Sequence, residues 1–159
     1  TTARMLGLRP GNAEALYHTI RAGERLLSAV TAMWDDHCSC MSKIRDVLKY
    51  VDRVYVPNHR REPIWDLGLD LFRDTVVRST RVPCRTNLLV AMLRQVYCER
   101  EGATVERRTI KAVTDMLLSL LHDAKQSVYT HDFEPIFLST TSEYYATEAS
   151  RQHESHRAT

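Results

Sequence analysis

VTAMWDDHCSCMSKIRDVLKYVDRVYV, residues 30–56, is the stretch on which the fold turns. Val30, Trp34, His37, Met41, Ile44, Leu48, Val51 and Tyr55 follow one another at spacings of four and three. That rhythm lines them along one face of an α-helix. The pattern predicts one helix from Glu24 to Val56, roughly 45 Å long at the α-helical rise. Pro57 and Asn58 then act as its stop. A second set on the same helix, Lys43, Asp46, Tyr50, Arg53 and Val54, occupies a face rotated away from the seam. A tyrosine flanked by charges either packs on a neighbouring helix or faces a partner, and spacing leaves both open. Tyrosine and arginine are the side chains most enriched at interface hot spots.

Working outward, a shorter helical piece is expected over Ala13 to Arg21 before the long helix. Downstream, Pro63 suits the first turn of a helix with Trp65, Leu69, Phe72 and Val76 inward. Pro83 opens the next, with Leu89, Met92 and Val96 inward and Gly102 as its terminating glycine. Thr104 is the expected cap of a helix whose apolar face is Ile110, Val113, Leu117 and Leu120 or Leu121. A last helix starts near Thr130 and carries Phe133, Phe137 and Tyr144, with a polar tail at 151–159. No alternating strand pattern interrupts this order. The fold class is all-α, built on a long helix.

Composition agrees. Glycine and proline contribute 5 each to 159 residues, about half the usual share. These residues punctuate hairpins and phosphate loops, so their scarcity favours long helices. The formal charge of +2 provides no strong pull toward nucleic acid or anionic membrane. No apolar run approaches the length that spans a bilayer. Cys38, Cys40, Cys84 and Cys98 read as reduced thiols filling core space, hence an intracellular protein.

Few groupings carry chemistry. Of His37, Cys38 and Cys40, only His37 and Cys40 share a helix face, so packing explains them better than a metal. Asp35 and Asp36 form a solvated shoulder. His131, Asp132 and Glu134 sit at a helix start, where acidic groups favour the dipole, so capping is their expected role. Arg60, Arg61, Arg107 and Arg108 fall at links without interleaved aromatic residues. They support only a secondary reading, a helical nucleic-acid-binding module. No nucleophile elbow or phosphate loop occurs, and no cofactor is expected.

Several segments together resemble one family. IRDVLKYVDRVYV (44–56), WDDH (34–37), IWDLGLDLFRDTVVRS (64–79), IKAVTDML (110–117), VYTHDFEPIFL (128–138) and EYYATEAS (143–150) are similar, in order, to the cullins. DRVYV and FRD-x-VVR are most like the cullin-3 branch, fungal members in particular. The resemblance implies a five-helix cullin-repeat bundle with a long central helix. The expected division is 1–21 as partial adaptor-side helices, 22–150 as the first cullin repeat, and 151–159 as the tail.

Cullins are scaffolds of multisubunit ubiquitin ligases, so the resemblance implies a docking segment and not an enzyme. In the cullin-3 branch this repeat binds a BTB-domain protein that is adaptor and substrate receptor together. Other branches use Skp-type or elongin-type adaptors. Tyr50 matches the family's adaptor-facing tyrosine. Asp46, Arg53, Lys49, Lys43 and Val54 accompany it, and Met5 and Leu8 match an incomplete first helix. Asp52, Trp65 and Phe72 match structural positions. The family places a longer segment between the pair matched by Leu16 and Tyr17 and the tryptophan matched by Trp34. A RING-box protein is expected only through a carboxy-terminal region that this sequence does not include.

Overall fold

In the computed structural model, which describes residues 13–79, 84–123 and 125–157 (side chains of 13–16, 155 and 156 excepted), helix α1 spans Ala13–Val47. It absorbs both the short piece expected over Ala13 to Arg21 and the start of the long helix. No helix end separates residues 21 and 22, and Gly23 is buried inside α1. Helical backbone continues past Val47, with Leu48 N–H donating to Ile44 O and Asp52 N–H to Leu48 O. A π-helical turn follows at Val51–Tyr55, then a short α-turn at Val56–Asn58. Pro57 therefore lies inside the last turn, which ends at Asn58 as the sequence predicts. An α-helical Pro57 would leave Arg53 O without a donor and crowd that carbonyl. The wider π turn just before it accommodates both, and Val56 N–H reaches back to Val51 O. Arg60, at φ 50°, completes the break.

Helix α2 is Ile64–Phe72, extended by a π turn at Arg73–Val77. Helix α3 is Cys84–Arg100 and α4 is Arg107–Ser119. A third π turn at Tyr129–Phe133 leads into α5, Glu134–Arg157. It also ends two residues before a proline, Pro135, which repeats the arrangement at Pro57. The expected polar tail is helical as far as Arg157.

The hub is α3. Leu88, Leu89, Ala91, Met92, Leu93, Gln95 and Cys98 are all buried, so the helix is covered on more than one face. The single stripe expected from Leu89, Met92 and Val96 describes it incompletely. A helix enclosed on several sides has no reason to alternate. Helix α1 lies along α3 and α4 and meets α2 farther on. Leu27 and Val30 of α1 join the core with Phe72, Val113, Met116, Leu117, Leu120, Val128 and Phe133.

Caps complete the ends. The α3 terminus closes with Gly102 N–H on Glu99 O and Ala103 N–H on Cys98 O, with Gly102 at φ +87°. Glu106, not Thr104, caps α4; its carboxylate accepts from Arg108 N–H at 3.1 Å. Ser127 Oγ accepts from Thr130 N–H at 3.1 Å, filling the capping role expected of the acidic residues near 131–134. Asp132 is instead buried and ion-paired. Its Oδ1 meets Arg85 Nη2 at 2.7 Å, and its Oδ2 lies 3.6 Å from Arg78 Nη2. Those partners stand 47 and 54 positions upstream, beyond any local sequence pattern. The thiols also differ from expectation, since Cys98 is buried but Cys40 is exposed.

Candidate docking face

The apolar seam of α1 divides near Met41. Up to that point it is covered. Trp34 meets the Phe72 ring edge-on at 5.1 Å between centroids, and His37 lies 5.0 Å from the same ring. His37 Nε2–H donates to Gly68 O at 2.9 Å, which makes it the packed histidine the sequence predicts. Gly68 is buried beneath Met41; a Cβ there would stand 2.8 Å from Met41 Sδ, so a larger residue must displace the Met41 side chain.

Beyond Met41 the seam emerges. Ile44, Leu48, Val51 and Tyr55 are 40% to 50% exposed. Only Asp52 and Val56 in this region turn inward. Asp52 Oδ1 accepts from Ile64 N–H, and Arg45 lies over the Trp65 ring at 5.2 Å. These contacts tether the free end of the helix to the start of α2. Asp52, Trp65 and buried Phe72 therefore hold structural positions, as the sequence implies.

The Tyr50 face points away from that tether. Tyr50 is 78% exposed and Val54 is 42% exposed. Lys43, Asp46, Lys49 and Arg53 are exposed around them. Among the described residues none of these four charged side chains, nor the Tyr50 hydroxyl, has a hydrogen-bond or ion-pair partner. Val47 belongs with them at 82% exposure. It stands three residues before Tyr50, on the same side of the helix. It belongs to neither stripe read from the sequence, and its three-residue spacing to Tyr50 is the signal that would have found it.

The face thus consists of Tyr50 between two valines one helical turn to either side, rimmed by three cations and one carboxylate. An apolar centre inside a charged rim is the anatomy of a protein interface. One phenol, two valines, three cations and one carboxylate can make apolar and charged contacts with another surface. Among the described residues no group of three His, Cys, Asp or Glu is placed to hold a metal ion, and no helix is long and apolar enough to cross a membrane. Met5 and Leu8 lie outside the described residues. Of the arginines in the secondary reading, Arg107 closes on Glu99 Oε1.

Comparison with known proteins matches residues 9–159 to the cullin alpha solenoid domain. The chain is 40% identical to Cullin-3 of Dictyostelium discoideum over 124 residues, 77% of this chain and 16% of that protein. It is 36% identical to Cullin-3B of Arabidopsis thaliana over 127 residues, 80% of this chain and 16% of the relative. Cullin-3 of Schizosaccharomyces pombe matches at 35% over 136 residues, 83% of this chain and 17% of the relative. The chain spans about one sixth of the length of these relatives. With the domain match covering nearly the whole sequence, and with these relatives all named cullin-3, the chain belongs to the cullin family and is most like its cullin-3 branch.

Proposed function

We propose that this chain is the receptor-docking segment of a cullin-RING ubiquitin ligase scaffold and that it binds a BTB-domain substrate receptor through the Tyr50 face. The observation that carries the reading is Tyr50 itself, 78% exposed on a helix whose opposite side is tethered. The likeness to cullin-3 proteins supports a BTB receptor over other adaptors.

The mechanism is positional. Helix α1 is clamped by Leu27, Val30 and Trp34, and the helical backbone that continues it past Val47 is held by Asp52. Tyr50, Val47 and Val54 are thereby held in place before a partner arrives, which lowers the ordering cost of association. A standard interface buries about 1,600 Å² in total, of which one such helical face with its rim provides a substantial part. Tyr50→Ala is expected to cost about 2 kcal/mol, or roughly 30-fold in Kd. The secondary arginine reading gains no comparable support, because Arg107 is already engaged by Glu99.

Calorimetric titration against BTB, Skp-type and elongin-type adaptors tests the reading. Binding to a BTB protein, weakened by Tyr50→Ala, is the expected result. Equal affinity of the variant removes Tyr50 from the interface, and binding only to another adaptor type replaces the BTB assignment.

A further inference from the structure

Asp132 forms the centre of a charged cluster remote in sequence from the docking face. Its side chain is 1% exposed. Oδ1 accepts from Arg85 Nη2 at 2.7 Å and from His131 Nδ1 at 2.6 Å. Oδ2 has no hydrogen-bond partner, although Arg78 Nη2 stands 3.6 Å away. Arg78 Nη2 is turned instead to His122 Nδ1, and Arg78 Nε is buried with no acceptor. His122 and His131 lie face to face, with centroids 3.6 Å apart and planes 11° from parallel.

These contacts assign protons. A guanidinium has only donors, so His122 Nδ1 must present its lone pair to Arg78. His122 is therefore neutral, with its proton on Nε2. A carboxylate has only lone pairs, so His131 Nδ1 carries a proton toward Asp132. Protonation of His122 places a donor against a donor and an imidazolium against Arg78. It also stacks that cation on His131. The Arg78–His122 bond cannot survive that change.

We propose that His122 and Arg78 form an acid-released latch, in which a proton on His122 frees Arg78 to move to the open Oδ2 of Asp132. Arg78 follows the π turn after α2, whereas His122 belongs to the link between α4 and the third π turn. Breaking the bond unfastens that link from the end of α2. The two described sides of the link are joined to each other, since His122 N–H donates to Gln126 O at 2.7 Å and residues Leu121 and Ser127 are bridged. Arg73 Nη1 still donates to Leu121 O at 2.7 Å and provides the pivot.

The surrounding charges do not block the switch. Asp74 faces Arg78 but is engaged by Arg73, whose Nε it meets at 2.7 Å. Arg85 stays on Asp132 Oδ1 from the first turn of α3. Asp123 is exposed and within electrostatic reach of both imidazoles, and the backbone N–H groups of Lys125 and Gln126 hold its carboxyl below the ordinary range. It therefore stays charged where imidazoles titrate, and being fully exposed it is screened by solvent. Arg78 and Arg85 oppose Asp132, and Arg73 opposes Asp70 and Asp74, so a proton on His122 acts through its own contact with Arg78 and not through the net charge. A proton bound only after the contact opens favours the open form as pH falls.

Imidazole nitrogen spectra and amide hydrogen exchange test the latch on the whole chain. Near pH 7.5, His122 is expected to carry its proton on Nε2, the tautomer that the Arg78 contact requires, and the comparison condition is pH 5.5. After correction for intrinsic exchange, protection of the His122, Asp123, Lys125 and Gln126 amides is expected to fall about tenfold between those conditions. In His122→Gln, which keeps an acceptor but does not titrate, the fall should shrink to about twofold or less. His131→Asn should retain the full fall. The latch is overturned if His122 bears its proton on Nδ1 at neutral pH. It is equally overturned if wild-type protection is flat with pH, or if His122→Gln responds as wild type does.

Discussion

Asp52 Oδ1 accepts a hydrogen bond from the Ile64 backbone N–H at 2.9 Å, across twelve residues of chain. Pro63, at the N-cap of α2, has no side-chain oxygen to satisfy that donor. Asp52 supplies one from the helix that carries Tyr50, and its negative charge sits at the favourable end of the α2 dipole. Asp52→Ala is expected to lower stability by about 1 kcal/mol, as loss of a cap does. Asp52→Asn should recover part of that through its side-chain oxygen. Urea unfolding of the three proteins measures the order, and an unchanged midpoint for the alanine variant would show that the tether bears no load.

Val47 and Phe72 make a contrasting pair. Val47 is 82% exposed, so Val47→Ala should change stability by no more than about 0.5 kcal/mol. Its effect belongs to binding, where loss of an apolar contact beside Tyr50 should weaken a bound receptor by about 1 kcal/mol. Phe72 is 3% exposed against Trp34 and His37, and Phe72→Ala should cost about 3–5 kcal/mol of stability. Thermal melts paired with receptor titration separate the two roles. A destabilised Val47→Ala would mean that this face is covered within the chain.

Gly23 and Gln95 are coupled across the α1–α3 contact. A Cβ on Gly23 would stand 2.8 Å from Gln95 Nε2, the atom that donates to Ile20 O at 2.7 Å. Gly23→Ala therefore forces Gln95 from that bond, and Gln95 Oε1 is already buried without a partner. The loss should exceed the roughly 1 kcal/mol that alanine gains over glycine in a helix. The single variant is expected to be destabilised by about 1 kcal/mol. With Gln95→Ala in place the obstacle is gone, and adding Gly23→Ala should stabilise by about the helix-propensity difference. A double-mutant cycle in urea reads the reversal of sign. Additive effects would remove the proposed contact.

What the sequence reveals about this fold depends on whether the determinant is local. The order of helices follows from apolar spacing and from punctuation such as Gly102, whose left-handed backbone ends α3 as a terminating glycine should. The Tyr50 stripe is also local, since residues three and four apart share a helix side wherever the helix packs. Asp132 is the opposite case. Its neighbours suggest a cap, but its burial is decided by Arg78 and Arg85, far upstream. The second half of the α1 seam has the periodicity of core, yet Ile44 and Leu48 stand partly in solvent because α2 covers the helix mainly near His37, Met41 and Asp52. Periodicity shows which residues share a side; it does not show whether another element reaches it. For the same reason α3, surrounded on several sides, lacks the single stripe that a surface helix displays.

The four thiols should separate by accessibility and proton affinity. Burial pushes Cys98 above the ordinary thiol range, with Glu101 adding to the effect and Arg94 opposing it. Burial also raises Cys84, and raises Cys38 with help from Asp35. A raised pKa means less thiolate at neutral pH, and the thiolate is the form that attacks an alkylating or disulfide reagent. Cys40 is exposed on α1 and should react first in the native protein. Cys38 and Cys84 are half-buried and should follow more slowly, gaining speed only as pH rises past the ordinary thiol range. Cys98 lies in the core and should react only after unfolding, so its rate should follow denaturant concentration while that of Cys40 does not. Mass spectrometry of peptides from timed alkylation distinguishes the four sites. Native labelling of Cys98 as fast as Cys40 would mean that α3 opens without global unfolding, contrary to its position at the hub of the core.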